Sequence, residues 1–192
     1  MKKCINGNID IITLNSFNYP IQAKNITEMP TILYCRGNLK ENLQGLAIVG
    51  TRRCSEYAKK ITVEAAVCLA ENNIAVISDM AKGIDSYAHT ACLNKNGYTV
   101  AVLGCGLDIC YPREHIKLME RITEKGVLLS QYPPGIPPNS VNFPKRNKII
   151  SGISEKVFVV EAGENSGSLI TAKYAKKYGK PIYVAPGSVY NS

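Results

Sequence analysis

Leu46-Ala47-Ile48-Val49-Gly50-Thr51-Arg52-Arg53-Cys54-Ser55 decides the fold. The apolar run Leu46–Val49 has the length of a buried strand. Gly50 permits a tight turn, and Ser55 is a good N-cap for a following helix. Tyr57, Ile61, Ala65, Cys68 and Leu69 share one face at helical spacing and predict that helix. A strand that passes through a turn straight into a helix is the repeating unit of a parallel α/β sheet.

The unit recurs along the chain. Ile74–Ser78, Thr99–Leu103, Val127–Ser130, Val157–Val160 and Ile182–Ala185 are short apolar runs rich in Val and Ile. Between them, Ile84, Ala88, Ala91 and Cys92 make a second helical stripe, and Leu169, Ala172, Ala175 and Lys176 a third that turns polar. Strands apolar on both faces, alternating with helices, imply a sheet covered on both sides. The prediction is an α/β, Rossmann-like, doubly wound, mainly parallel sheet of about six strands with helices on both faces. Its main domain is 45–192. Residues 1–44 read as a leader packed on it, punctuated by Tyr19-Pro20 and Met29-Pro30, with Ile32–Arg36 as a short edge strand. Neither a repeat nor a low-complexity tract interrupts the pattern.

A chain of 192 residues, 45% of them hydrophobic, can bury the core of one domain. Its apolar runs fall well short of the roughly 20 residues that span a bilayer. Met1–Gly7 carries two lysines but no apolar core, so neither a signal peptide nor a membrane partner is expected. The cysteines at 4, 35, 54, 68, 92, 105 and 110 are odd in number and lack CxxC spacing. That argues against a disulfide framework and a zinc site, and for a reducing cytoplasm. Cys68 and Cys92 fall on the apolar helix faces, where cysteine packs as a small hydrophobe. The net charge is +8, of which +6 lies in residues 113–192. Such a balance suits an anionic partner, nucleic acid first, although ordinary solubility charge explains it equally well.

In a doubly wound sheet, ligands sit outside the carboxyl ends of the strands. Five loops therefore matter. Gly50-Thr51-Arg52-Arg53 joins a helix start to two guanidinium forks suited to phosphate, or else is a solvated turn. In Ser78–His89, Gly83 shapes a turn while Asp85 and His89 share a helix face. The pair reads better as a brace for the loop, through an i, i+4 hydrogen bond, than as an acid/base couple. Gly104 and Gly106 flank Cys105, which has no identifiable base and reads as packed. In Ser130–Ile150, Phe143, Lys145, Arg146, Asn147 and Lys148 bring three cations, an aromatic and an amide together. They suit phosphates with a base stacked on Phe143, or Phe143 belongs to the core. Ser166-Gly167-Ser168 opens a helix with backbone and hydroxyl donors, and Lys173 follows inside it, a plain surface lysine on its own merits.

These loops together resemble the DprA/Smf family, the DNA-processing proteins of bacterial natural transformation. The resemblance runs from about Tyr19 to Gly187. It rests on GTR at Gly50–Arg52, A-x-GID-xx-AH at Ala81–His89, Tyr111-Pro112, YPPG at Tyr132–Gly135, FPKRN at Phe143–Asn147, SGSLITA at Ser166–Ala172 and Pro186-Gly187. It implies a non-enzymatic protein that binds single-stranded DNA, protects it and helps load RecA, without metal or cofactor. By the resemblance, Arg52, Lys145, Arg146 and Lys148 hold phosphates, Phe143 and Asn147 approach the bases or shape the pocket, and the Ser166–Ser168 helix start takes a further phosphate. Lys173 lies along the same path. A homodimer is also implied, formed in the family by the region beyond the position of Ser192. Relative to the family the chain is expected to be truncated at its C-terminus. Three positions depart from the pattern: Asp79 for Gly, Gln131 for Glu and Lys148 for Arg. The alternative is a Rossmann-like sensor or hydrolase of a small nucleotide. Glu164-Asn165-Ser166-Gly167-Ser168 lacks the PGGxGTxxE motif of phosphoribohydrolases, which makes hydrolysis the weaker half of that alternative.

Overall fold

A computed structural model describes residues 8–187. Cys4, the lysines of Met1–Gly7 and the end at Ser192 fall outside the described residues.

The sheet has eight strands in the order β1-β2-β6-β5-β4-β3-β7-β8. The six predicted runs are β3 (Gly45–Val49), β4 (Ala75–Ser78), β5 (Thr99–Leu103), β6 (Val127–Ser130), β7 (Lys156–Val159) and β8 (Ile182–Val184). All six are parallel. β3, β4, β5 and β6 march in one direction, and β7 then returns to the other side of β3. The topological switch point therefore lies between β3 and β7.

The count of about six strands was too low. β1 (Ile9–Thr13) and β2 (Ile32–Gly37) extend the sheet antiparallel beyond β6. β2 is internal, not the edge expected for Ile32–Arg36. The leader thus does more than pack on the domain. Its short helix α1 (Ile21–Lys24) connects two strands of the common sheet, and Tyr19, Ala23, Met29 and Leu33 enter the main core.

The longer helices are α2 (Glu56–Glu71), α3 (Ile84–Asn94), α4 (Ile116–Lys125), α5 (Asn142–Ile153) and α6 (Gly167–Lys177). Side chains alternate across a strand, so successive residues feed opposite layers. Ala47 and Val49 pack with Ile149, Ile150, Ile153 and Ala175 of α5 and α6. Ile48 and Val76 pack with Ala58, Ala66, Ile84 and Ala88 of α2 and α3. Leu93, Met119 and Ile122 cover Ala101, Leu103 and Leu128 further along that second face. The result is three layers.

The predicted stripe of α2 is off by one residue. Ala58, Thr62, Ala66 and Ala70 face inward, whereas Tyr57 and Cys68 are exposed. The reason is packing: α2 lies against α3, and small side chains let two helices approach closely. The stripe of α3 is as expected, with Ile84, Ala88, Ala91 and Cys92 buried. Cys35, Cys54, Cys68, Cys92, Cys105 and Cys110 are all free thiols. No helix among the described residues is long and apolar enough to cross a membrane.

Candidate functional site

The loops after β3, β4, β5 and β7, with the first turns of α5 and α6, enclose a crevice of about 810 Å³ at the switch point. Its lining includes Gly50, Thr51, Arg52, Arg53, Phe143, Arg146, Asn147, Ser166, Gly167 and Ser168. A side pocket of about 80 Å³ opens between Arg52, Asp79, Gly104, Tyr111 and Phe143.

The first loop is pinned on both sides. Thr51 N–H donates to the Glu161 carbonyl at 2.8 Å, and Ile84 N–H donates to the Thr51 carbonyl at 3.3 Å. Gly83, at φ +79°, lies beneath it, where a Cβ would stand 2.5 Å from the Thr51 carbonyl oxygen. Ser55 caps α2 by accepting from Ala58 N–H at 3.1 Å. Thus fixed, the loop leaves the Arg52 and Arg53 side chains exposed, and neither forms an ion pair among the described residues. Two unneutralised guanidinium groups at the mouth make an anion-attracting wall.

Arg146 differs from the free phosphate ligand expected of it. It is 4% exposed. Its Nη2 donates to Asp79 Oδ2 at 2.5 Å, its Nε donates to Asn147 Oδ1 at 3.1 Å, and Nη1 donates to the Val102 carbonyl. A buried guanidinium needs such partners, and once it has them it is a strut. Asn147 is also spent, since its Nδ2 donates to the Gly167 carbonyl at 3.0 Å. It shapes the crevice by tying α5 to the start of α6.

Asp85 and His89 brace the β4 loop, but not through each other. The Ser78 hydroxyl lies 2.6 Å from the Ile48 carbonyl and 2.8 Å from Asp85 Oδ1. It has one proton to share between them, so an Asp85 that keeps its own proton completes the set. Burial first, and the Asp79 charge second, hold the Asp85 carboxyl protonated well above the ordinary range. His89 Nε2–H donates to the Asp79 carbonyl at 2.6 Å, and Nδ1 meets the Thr99 hydroxyl at 2.6 Å. Burial pulls its pKa down to about 4, so the ring is neutral. Cys105 is likewise buried, its thiol pushed up by burial to about 11, which suits packing and not attack.

Phe143 lines the crevice and is not among the buried core residues. Its ring stacks on Tyr111 at 5.5 Å between centroids, and the Arg52 guanidinium lies 6.0 Å from its centroid. Gly104 makes room, because a Cβ there would come 2.7 Å from the Phe143 ring. Gly106 anchors the next turn, its N–H donating to the Ile136 carbonyl at 2.9 Å. At the far wall, Ser166 caps α6 and its hydroxyl lies 2.7 Å from that of Ser168.

Lys145, Lys148 and Lys173 do not line the crevice. Lys145 and Lys173 are exposed beside it. Lys148 is half-buried on α5, and its charge adds a small share to holding the Glu28 carboxyl low, which the hydrogen bond from Lys177 does chiefly. Sequence reasoning gave no role to the Tyr111 ring or to Glu161. The carboxylate of Glu161 accepts from Ser55 N–H at 2.8 Å, locking the start of α2. A Tyr-Pro after a Gly-rich turn was the only hint for Tyr111.

The fold and the crevice define a doubly wound α/β protein with a basic, aromatic-lined crevice at its switch point. Residues 10–192 match the family model described as DNA recombination-mediator protein A, and the chain belongs to that family. It is similar to the DNA processing protein DprA of Streptococcus pneumoniae, whose X-ray structure superimposes with a TM-score of 0.88 at 38% identity over 95% of this chain and 65% of that one. The Helicobacter pylori DNA processing protein A, solved for its single-stranded DNA binding mode, gives 0.87 at 32% identity over 96% of this chain and 83% of that one. Protein Smf of Synechocystis is 39% identical over 186 residues, 94% of this chain and 47% of that protein. The chain thus spans about half the length of that relative and 62% of the Bacillus subtilis DprA.

Proposed function

We propose that this chain binds single-stranded DNA without catalysis, within DNA processing and natural transformation in the cytoplasm. One observation carries the reading: a crevice walled by the unpaired Arg52 and Arg53 on one side and the Ser166–Ser168 helix start on the other, with Phe143 and Tyr111 stacked beside it. Cationic walls track a phosphate backbone, and aromatic rings accept unstacked bases of any sequence. The reported binding mode of the H. pylori protein supports the same ligand. The family's description as recombination mediators supports delivery of the bound strand to RecA. The best acid/base candidates, Asp85 and His89, are buried and spent on the scaffold, which favours a binder over an enzyme. Lys145, Lys148 and Lys173 stand outside the crevice and serve, in this reading, a strand entering or leaving it.

The test is a gel-shift and anisotropy comparison of oligo-dT with duplex DNA across a salt series. Binding of the single strand that weakens steeply with salt is expected. Equal binding of duplex, or no binding at low salt by folded protein, would overturn the proposal.

A further inference from the structure

The side pocket next to the arginine wall differs in chemistry from the crevice that it joins. Two of its walls are the Tyr111 and Phe143 rings, close enough to stack. Its acid, the only one lining it among the described residues, is Asp79. Asp79 Oδ2 accepts from Arg146 at 2.5 Å and Oδ1 accepts from Ala81 N–H. Each carboxylate oxygen has a second lone pair, and the Asp79 side chain, 19% exposed, lines both this pocket and the crevice. The charge of Arg146 is cancelled by Asp79, and that of Lys82, on the pocket's rim, by Glu114. Asp79 thus offers acceptors to a neutral ring, while the unpaired Arg52 on the same lining stays free for a phosphate.

Resting on the reading of the crevice as a single-strand site, we propose that Asp79 is a specificity-determining residue that selects guanine for the side pocket. Guanine is the base whose Watson–Crick edge sets two N–H donors side by side, N1–H and the N2 amino group, to match the two oxygens of a carboxylate. Adenine and cytosine pair one amino donor with a ring acceptor that a carboxylate repels. Thymine flanks its one N–H with two carbonyls. Flipped bases are read in this manner, by their Watson–Crick edge with an aromatic side chain packed against them.

The experiment measures affinity of the unmodified protein for oligo-dT, for the same oligomer with one central dG, and for one with hypoxanthine at that position. The dG oligomer should bind about tenfold tighter than oligo-dT, the worth of one bidentate base contact. Hypoxanthine, which lacks the N2 donor, should lose most of that gain. Asp79→Asn keeps an oxygen for Arg146 but puts a donor in place of one acceptor, and should bring the ratios of affinity among the three ligands to about one, whatever its absolute affinity for oligo-dT. Should that variant not fold, the ligand series decides alone. Equal affinities of the unmodified protein for all three oligomers would overturn the role of Asp79 and leave the crevice reading intact. Failure to bind any of them would overturn both.

Discussion

The Arg146 guanidinium and the Asp79 carboxylate meet at 2.5 Å with 5% and 19% of their side chains exposed, joining α5 to the end of β4. Removing one partner of a buried pair strands the other charge, at a cost of about 3–5 kcal/mol. Asp79→Ala should therefore lower stability by that order in urea unfolding. Loss of under about 1 kcal/mol, the worth of an exposed pair, would show that water already reaches Arg146.

Arg52 should behave in the opposite way. It is exposed and has no ion-pair partner among the described residues, so Arg52→Ala should leave the unfolding midpoint unchanged. Its effect belongs to binding. Affinity should fall for every oligonucleotide sequence alike, and the slope of log K against log salt should shrink by about 1. An altered base preference with an unchanged slope would contradict a phosphate contact.

Lys148 separates the crevice from its surroundings. It is on α5 but is not among the residues that line the crevice, unlike Phe143 and Asn147. Lys148→Ala should weaken binding less than Arg52→Ala does, measured at the same salt. An equal or larger loss would place the strand's path over the outer face of α5 and not within the crevice.

The contrast between these residues shows what the sequence could tell. β3 to β6 were legible because each is a short apolar run buried on both faces, such as Thr99–Leu103, whereas β7 and the exposed edge strand β8 were legible only from their apolar, β-branched and aromatic composition. β1 was not, since Ile9-Asp10-Ile11-Ile12-Thr13 is an edge strand with three exposed residues and no clean alternation. The crevice loops were legible from Gly and cation placement after strands. Which cations remain free was not. Arg146 and Arg52 look alike as letters, and only the fold puts Asp79 beside the first and leaves the second open. Phe143 could be core or site in the sequence, and only the fold sets it on the crevice wall, stacked on Tyr111 across 32 positions.

Asp85 and His89 predict opposed pH dependences. The folded-state pKa of His89 is about 4, below the ordinary 6.5. Between those values the unfolded chain takes up a proton that the folded protein refuses. Stability from this group is complete above about pH 6.5 and falls on acidification toward pH 4, by up to about 3 kcal/mol. Asp85 works the other way. Its folded pKa is raised well above 3.8, so the folded state keeps a proton that the unfolded chain releases. Its contribution is complete below about pH 3.8 and is lost as pH rises toward the folded value. Over the shared window the two slopes offset each other, and the unmodified protein should show a shallow profile between pH 4 and 6.5. Asp85→Asn mimics the protonated carboxyl and removes one slope. The variant should hold its stability at neutral pH and lose it on acidification, with the His89 slope exposed. Urea midpoints taken every half pH unit would show this, and a variant profile as flat as that of the unmodified protein would mean that His89 is already charged in the fold.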